Sequence, residues 1–204
     1  MMPFSQPVWS ALINAGVPRR FEREEVLMRQ GDRGDCVLAL ASGRVKVIRD
    51  EADGGKLLLA IREADDLLGE VAVLDGRERS ATVSALTPCL TYVIPAERFR
   101  RVVSQFSLYE ILIHRTLHRM REGEDIRADL AGLAAPILVA RTLVRLAIGP
   151  EIPLSQNDLA AATGLSRSAV AAELAVLRRR GIVTTARRLM IIHDLASLQK
   201  TAWP

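Results

Sequence analysis

Residues 68–82 read LGEVAVLDGRERSAT, and short runs of strand-type residues flank them on both sides. These runs are rich in Val, Ile, Leu and Thr, and they span residues 36–40, 44–48, 57–61, 81–85 and 90–94. Glycines separate them at positions 31, 34, 43, 54, 55, 69 and 76. Many short strands broken by glycine-containing turns are typical of an antiparallel barrel or roll and not of a βαβ sheet. We therefore predict that the N-terminal part of an α+β chain is an antiparallel β-roll.

The pattern changes from strand to helix after Pro95 and Ala96. Apolar residues then recur with helical spacing and can form one stripe, made of Leu108, Ile111, Leu112, Leu117, Met120, Ile126, Leu130 and Leu133. This spacing predicts one long helix from Glu97 onward. The same helix of a second copy would cover the stripe economically, so we expect a homodimer. Gly123 and Gly132 each weaken the helix by about 1 kcal/mol relative to Ala, so a break near either is an alternative.

Residues 152–183 have the punctuation of two helices joined by a tight turn. Ser155 can cap the first helix, Thr163 and Gly164 can form the turn, and Ser166 can cap the second helix. This pattern predicts a helix-turn-helix. Another helix is predicted before it, over residues 137–148, with Pro136 at its start. Residues 182–193 alternate enough to form a β-hairpin wing, with Arg187 and Arg188 near its turn. A helical protein-interaction module is the alternative, because it would share the caps and the apolar spacing.

The second helix of this pair is predicted to enter the major groove of double-stranded DNA. Val170, Leu174 and Leu177 follow helical spacing and should pack inward, which leaves the opposite face free. Base edges are normally contacted by the N-terminal exposed positions of such a helix, and phosphates by basic residues near its end. The predicted DNA-binding residues are Ser155, Gln156, Ser166, Arg167, Ser168, Ala171, Ala172 and Arg178.

Charge and composition agree with this division of the chain. Residues 135–204 hold nine Lys or Arg against four Asp or Glu, which is +5, whereas residues 1–134 hold nineteen against twenty, which is −1. A basic C-terminal part is typical of a nucleic-acid binder. No run approaches the ~20 apolar residues of a membrane span, and the first residues do not look like a secretory signal, so we expect a cytoplasmic protein without a membrane partner. The two cysteines, Cys36 and Cys89, lie in strand-like runs and suit buried thiols.

Residues 68–82 closely resemble the phosphate-binding cassette of cyclic nucleotide-binding domains, in which Gly-Glu opens a short helix and Arg-Ser-Ala closes the segment. Upstream, the stretches FEREEVLMRQGD at 21–32 and LALASGRVKV at 38–47 resemble the first strands and glycine turns of that family. With the helix-turn-helix, almost the whole chain, from about residue 20 to 195, is similar to CRP/FNR-type transcription regulators. The resemblance implies an effector-sensing β-roll over residues 1–106, a dimerisation helix over 107–134 and a winged helix-turn-helix over 135–204.

The resemblance also implies which residues bind an effector, cyclic AMP or cyclic GMP. Arg79 and Ser80 would hold the phosphate, because a guanidinium and backbone N–H groups at a helix start can neutralise a cyclic phosphate. Glu70 would accept a hydrogen bond from the ribose 2′-hydroxyl, and Gly69 would let the backbone approach the sugar. Val71 belongs to the same predicted set. The alternative is a roll that has lost its ligand, in which Glu70 and Arg79 form an internal salt bridge.

The chain departs from the family pattern at two places. Asp65 and Asp66 stand where the family usually has Gly-Asp, and Asp tolerates the left-handed backbone that such a turn needs. On the long helix, Gly123 and Glu124 stand where cyclic-AMP-responsive members carry a Thr-Ser pair that contacts adenine, so recognition of the usual kind is not expected. Arg119, one turn earlier, is predicted to face the pocket.

Glu124 has two interpretations. A carboxylate at a base-contacting position would favour guanine, which offers adjacent N1–H and N2–H₂ donors, over adenine. Alternatively, Glu124 points to solvent or pairs with Arg121 or Arg127 on the same helix.

Together these residues predict a homodimeric, sequence-specific DNA-binding regulator that is controlled by an effector in the β-roll and contacts RNA polymerase. A regulator of the same fold that needs no small molecule is the alternative. No nucleophile–base pair or metal constellation supports an enzyme. His114 and His118 have i, i+4 spacing that could hold a metal, but no thiol or carboxylate clearly completes such a site, so we expect no metal and interpret them as surface or interface residues.

Overall fold

The structure is a computed structural model that describes residues 4–52 and 54–204. Its α-helices are α1 (Gln6–Ala15), α2 (Glu70–Asp75), α3 (Ala96–Gln105), α4 (Tyr109–Gly132), α5 (Ala135–Leu146), α6 (Gln156–Thr163), α7 (Arg167–Arg179) and α8 (Leu195–Ala202). Its strands are β1 (Val17–Phe21), β2 (Val26–Met28), β3 (Cys36–Ser42), β4 (Arg44–Asp50), β5 (Lys56–Glu63), β6 (Asp66–Leu68), β7 (Thr82–Ala85), β8 (Cys89–Pro95), β9 (Glu151–Ile152), β10 (Val183–Ala186) and β11 (Leu189–Ile192). The chain separates into two compact units, one with residues up to 50 and 61–123, the other with residues 51–60 and 124–204.

The strands of the first part of the chain form two four-stranded sheets, with orders β1-β8-β3-β6 and β2-β7-β4-β5. The pairs β1–β8, β3–β8, β3–β6, β2–β7 and β4–β7 are antiparallel, with Val37 of β3 opposite Ile94 of β8, for example. Strand β3 lies between two neighbours, and its residues Val37, Leu38, Ala39 and Leu40 are all buried. This confirms the predicted antiparallel β-roll.

Helix α1 was not predicted from the sequence. It contributes Trp9 and Leu12 to a core that also contains Phe99 and Val103 of α3. Its ten residues carry no charge, so the sequence lacks the contrast between a polar and an apolar face by which a surface helix is recognised.

The predicted single helix after Ala96 is wrong in one respect, because the structure has two helices there. Ser107 has φ +52°, a left-handed conformation that a continuing helix does not allow. Helix α4 then runs without interruption through Gly123 and ends at Gly132. The predicted stripe is also divided, since Leu108 and Leu112 belong to the core of the first unit.

The second unit contains helices α5 to α8 and a three-stranded sheet with order β10-β11-β9. Its buried side chains include Leu143 of α5, Leu159 of α6, Leu174 of α7 and Leu198 of α8. This arrangement confirms the predicted winged helix-turn-helix. The C-terminal helix α8 was not predicted, and Arg141 of α5 binds its end by donating to the backbone oxygen of Ala202 at 3.1 Å.

Among the described residues, no single helix is long and apolar enough to cross a membrane, and only the sharply bent pair α6–α7 passes that test of length and composition jointly.

Candidate effector site and DNA-binding helices

The segment between β6 and α2 brings a glycine, a glutamate and an arginine together. Gly69 has φ +81°, a conformation that L side chains rarely adopt. A Cβ added at this position would collide with the guanidinium of Arg79 and would lie 2.8 Å from Cε of Met28. Backbone conformation and lack of space therefore both require glycine here.

Arg79 is 5% exposed and donates to two backbone oxygens. Its Nη1 donates to Gly69 O at 2.6 Å, and its Nη2 donates to Cys36 O at 2.5 Å. The carboxylate of Asp35 lies 3.7 Å away, but that side chain is 82% exposed. The buried guanidinium is thus held largely by neutral acceptors, and its charge remains available to an anion.

Glu70 begins α2 and is 1% exposed. One of its oxygens accepts a hydrogen bond from Nη1 of Arg119 on α4. The other oxygen, Oε2, is buried and has no hydrogen-bond partner. An unsatisfied buried carboxylate oxygen is costly, so it marks a position where a donor from a ligand would be stabilised.

The helix-turn-helix is fixed by caps that the sequence predicted. Ser155 N donates to Oδ2 of Asp158 at 2.9 Å, and Asp158 N donates back to Ser155 Oγ at 3.1 Å. Gly164 ends α6 with φ +64°. Ser166 then caps α7 by accepting from Ala169 N at 3.2 Å. The axes of α6 and α7 differ in direction by 108°.

Helix α7 buries one face and exposes the other. Val170, Leu174 and Leu177 are 0%, 1% and 4% exposed and pack inward. Five predicted DNA-binding residues on the outer face are exposed, namely Ser166, Arg167, Ser168, Ala172 and Arg178. A sixth, Ala171, is half-buried. On α6 and its cap, Gln156 is exposed and Ser155 is half-buried.

The wing extends the same basic surface. Nη1 of Arg178 lies 3.4 Å from Oγ1 of Thr185 on β10. Arg187 and Arg188 are exposed at the turn between β10 and β11, and Arg188 has φ +62°. The second unit therefore presents guanidinium groups on both the helix and the wing.

Comparisons with known proteins match both parts of the chain. Residues 18–106 match the cyclic nucleotide-binding domain family, and residues 139–201 match the Crp-like helix-turn-helix domain family. The chain belongs to the CRP/FNR family of transcription regulators. Proteins of this family are regulators and not enzymes.

Two curated CRP relatives and two solved structures illustrate the similarity. The cyclic AMP receptor protein of Thermus thermophilus is 27% identical, over 91% of this chain and 88% of its own length. A CRP-like cAMP-activated global transcriptional regulator of Mycobacterium tuberculosis is 26% identical, over 95% and 91%. The structure of the c-di-GMP-responsive regulator CLP of Xanthomonas campestris has a TM-score of 0.78 at 21% identity, covering 93% of this chain and all of that one. A CRP-family regulator of Thermus thermophilus has a TM-score of 0.69 at 26% identity, with 91% and 97% covered.

The CRP/FNR fold of this chain contains an ion-pair cluster that sequence reasoning missed. Asp66 on β6, 6% exposed, accepts from Arg115 and, at 3.0 Å, from Nη2 of Arg119. Nε of Arg62 lies 3.7 Å from its second oxygen, and Arg62 also donates to Glu122 at 2.8 Å. A signal did exist, since Arg115 and Arg119 continue the helical spacing of the buried residues Leu108 and Leu112.

Burial and neighbouring charges shift the pKa of Arg115, Arg119 and Glu122. Burial would lower the pKa of Arg119, but the carboxylates of Glu70 and Asp66 outweigh it and the pKa is raised. Burial lowers the pKa of Arg115 despite its pairing with Asp66. Burial would raise the pKa of Glu122, but the hydrogen bond and charge of Arg62 outweigh it and the pKa is lowered.

The structure brings together only some of the predicted effector residues. Gly69, Glu70, Arg79 and Arg119 surround the start of α2. The alternative salt bridge between Glu70 and Arg79 is not formed, because Glu70 pairs with Arg119 instead. Val71 and Ser80 are exposed in the same segment. Glu124 is exposed on α4 and lies in the second unit.

Other predictions have mixed outcomes. Asp65 does adopt the left-handed conformation expected of it, with φ +69°. Cys89 is buried, whereas Cys36 is only partly buried, and neither forms a disulfide. His114 and His118 lie near the carboxylates of Glu110 and Glu122, and no group of three metal-ligating side chains occurs among residues 4–52 and 54–204.

Proposed function

We propose that this CRP/FNR protein is a homodimer whose affinity for its operator is set by a cyclic nucleotide in the β-roll. The observation that carries the proposal is that two buried charged side chains, Glu70 and Arg79, lie beside Gly69. The guanidinium of Arg79 donates to two neutral backbone oxygens and lies 3.7 Å from the exposed carboxylate of Asp35, and Glu70 has one oxygen without a hydrogen-bond partner. A cyclic nucleotide presents the matching groups, which are a phosphate with one negative charge and a ribose hydroxyl.

Binding would exchange weak partners for strong ones at Arg79. The guanidinium now donates to neutral backbone oxygens, and a phosphate would accept the same hydrogen bonds with its charge. The present hydrogen bonds have one ionised partner, the guanidinium, and a phosphate would add the attraction between opposite charges to them. Ser80, next in the chain and exposed, would add a hydroxyl donor.

The ribose would occupy the free oxygen of Glu70. A carboxylate only accepts hydrogen bonds, and the other oxygen is already taken by Arg119. The 2′-hydroxyl of a ribose can donate to Oε2, and a 2′-deoxyribose cannot. The proposal therefore predicts that the 2′-deoxy analogue of the effector binds more weakly than the effector itself.

Arg79→Ala directly tests the proposal that a cyclic nucleotide binds in the β-roll. We expect the variant to lose cyclic nucleotide binding in titration calorimetry with cyclic AMP, cyclic GMP and cyclic di-GMP, while its circular dichroism is unchanged. Arg77→Ala is the matched control, because Arg77 is an exposed arginine of the same segment. Equal binding by wild type and Arg79→Ala would contradict the assignment of the cassette.

In the proposed complex with DNA, bases are contacted by Arg167, Ser168, Ala171 and Ala172, and phosphates are contacted by Arg178. Ser168 and Ala172 stand where the family often has Glu and Arg, so two charged base contacts are missing. Each bidentate base contact is worth about 1–3 kcal/mol, so the preferred operator should differ from that of the cyclic AMP receptor protein at those base pairs. Selection of sites from random DNA measures this, and recovery of the usual operator would refute it.

Glu124 is proposed to favour guanine over adenine. Guanine presents two adjacent donors to a carboxylate, whereas adenine presents one donor beside a lone pair. Competition between cyclic GMP and cyclic AMP for wild type and for Glu124→Ala tests this. An adenine preference that the substitution leaves unchanged would end the idea.

A second candidate is a regulator that needs no small molecule. The ion pair between Glu70 and Arg119 favours it, because the pocket already satisfies part of its own charge. This candidate predicts no heat with any of the three nucleotides and full operator binding by the ligand-free protein in a mobility-shift assay. In either case we propose that the protein acts on DNA in the cytoplasm together with RNA polymerase.

A further inference from the structure

Asp66 is the buried centre of the ion-pair cluster beside the proposed effector pocket. Its Oδ1 accepts from Leu67 N at 2.9 Å, from Nη2 of Arg119 at 3.0 Å and from Nη2 of Arg115. With 6% exposure, the carboxylate has little contact with water. Buried charges are retained only where several hydrogen bonds compensate them, as these do.

Asp66 is held in place from two directions. On one side, Arg115 is 3% exposed and its guanidinium lies 4.7 Å from the ring centre of Phe4. On the other side, Arg62 lies 3.7 Å from Oδ2 of Asp66 and is itself bound by Glu122. Neither arginine can move without breaking a second contact, so the two arginines hold the carboxylate of Asp66 in one position.

Arg119 contacts both the carboxylate of Asp66 and the proposed effector pocket. Its Nη2 donates to Asp66 and to Leu67 O, the latter at 3.0 Å, and its Nη1 donates to Glu70. Because Nη2 is bound in this way, Arg119 reaches only one oxygen of Glu70. The other oxygen, Oε2, is the one left free for a ligand.

We propose that Asp66 is a positioning residue of the effector site: it draws Arg119 away from Glu70 far enough to keep Oε2 of Glu70 open. The inference rests on the proposed function for its ligand, a cyclic nucleotide whose ribose donates to that oxygen. Arg62, Arg115 and Arg119 balance Asp66, Glu70 and Glu122 in the cluster. Without the charge of Asp66, the guanidinium of Arg119 turns to Glu70 and binds both of its oxygens.

The test compares Asp66→Asn with Asp65→Asn. The control lies one residue earlier, is exposed, and keeps its left-handed conformation because Asn tolerates φ > 0. We expect Asp66→Asn to weaken binding of cyclic AMP and cyclic GMP on the order of tenfold, since a hydrogen bond to a charged group is at stake. Asp65→Asn should bind as wild type does. Equal affinity of the two variants would overturn the proposal.

A double-mutant cycle separates positioning from loss of packing. If Asp66 acts through Arg119, then Asp66→Asn should add nothing in an Arg119→Met background, where there is no guanidinium to position. A full, additive loss in that background would show that Asp66 acts on the pocket by another route. Should Asp66→Asn not fold, Arg62→Gln withdraws support from the same carboxylate, and the same non-additivity with Arg119→Met is expected.

A readout without nucleotide keeps this inference distinct from the proposed function. If wild type binds none of the nucleotides, the proposal that a cyclic nucleotide is the effector is wrong. The guanidinium ¹⁵N–¹H signals of Arg119 then decide the role of Asp66. We expect slow rotation and protected Nη protons in wild type and Asp65→Asn, with the Nη2 signals shifted in Asp66→Asn. Unchanged Arg119 signals in Asp66→Asn would refute the positioning role.

Discussion

Cys36 shows how close neighbours control the chemistry of a single side chain. Burial raises the pKa of its thiol to about 11, and the carboxylate of Asp35 adds to the shift while Arg79 opposes it. Because the thiolate is the reactive form, we expect slow alkylation of the native protein by iodoacetamide at pH 8. Mass spectrometry of timed samples measures the rate, and Asp35→Asn should increase it. A native rate equal to that of the urea-unfolded chain would show that this environment does not protect the thiol.

Glu122 makes the stability of the first unit sensitive to acid. Its pKa is lowered from the ordinary value of 4.5, because the hydrogen bond and charge of Arg62 outweigh the effect of burial. A group whose pKa is lower in the folded state stabilises the protein above its unfolded pKa and stops doing so as the pH falls through its folded pKa. Glu122→Gln should therefore reduce the loss of thermal stability below about pH 4.5. Glu110→Gln is the control on the same helix, since that side chain is 90% exposed, and an equal effect of both substitutions would contradict the assignment.

The sequence predicts features that depend on neighbouring residues in the chain, and it does not predict features that depend on contacts made after folding. Glycine turns and capping serines are local signals, so the β-roll and α7 could be predicted, whereas the cassette was identified by the resemblance of residues 68–82 to a known family. The role of Asp66 depends on Arg62, Arg115 and Arg119, which are close only after folding. Similarly, the predicted stripe contained both Leu112 and Leu117, but only packing assigns the first to the core and leaves the second 39% exposed.

The turn of the helix-turn-helix depends on one backbone conformation. Gly164 has φ +64°, and an added Cβ would meet only Cδ2 of Leu130, at an ordinary 3.9 Å. A side chain therefore fits, and the cost of Gly164→Ala comes from the left-handed backbone alone, about 1–2 kcal/mol. Urea unfolding should show this loss, whereas Gly164→Asn should lose less because Asn tolerates this conformation. A loss well above that range in Gly164→Ala would mean that packing against Leu130 also matters.

At the scale of the whole molecule, the two units contain most of the residues that match the two domain families. The first unit concentrates buried charge around the cassette, and the second presents exposed arginines on α7 and the wing. Helix α4 contributes to both, since it supplies Arg115 and Arg119 to the first unit and its C-terminal part to the second. The effector that we propose would alter the contacts of Arg119 and would therefore act on an element that both units share, as coupling between an effector and an operator requires.

The exposed apolar face of α4 predicts how two copies associate. Tyr109, Ile113, Leu117 and Met120 follow helical spacing and are 56%, 58%, 39% and 51% exposed, an arrangement that a second α4 would cover. We expect Leu117→Glu to convert a dimer into a monomer in light scattering at micromolar concentration, because the carboxylate would be buried without a partner.

His114→Lys introduces a charge at an exposed position of α4 that does not follow this helical spacing, and it is the matched control, which should remain dimeric. A dimer places two α7 helices on half-sites about 10 bp apart, so the monomeric variant should also lose affinity for a two-half-site operator and keep its weak affinity for a single half-site. A dimer of unchanged stability in Leu117→Glu would assign the interface to another surface of the molecule.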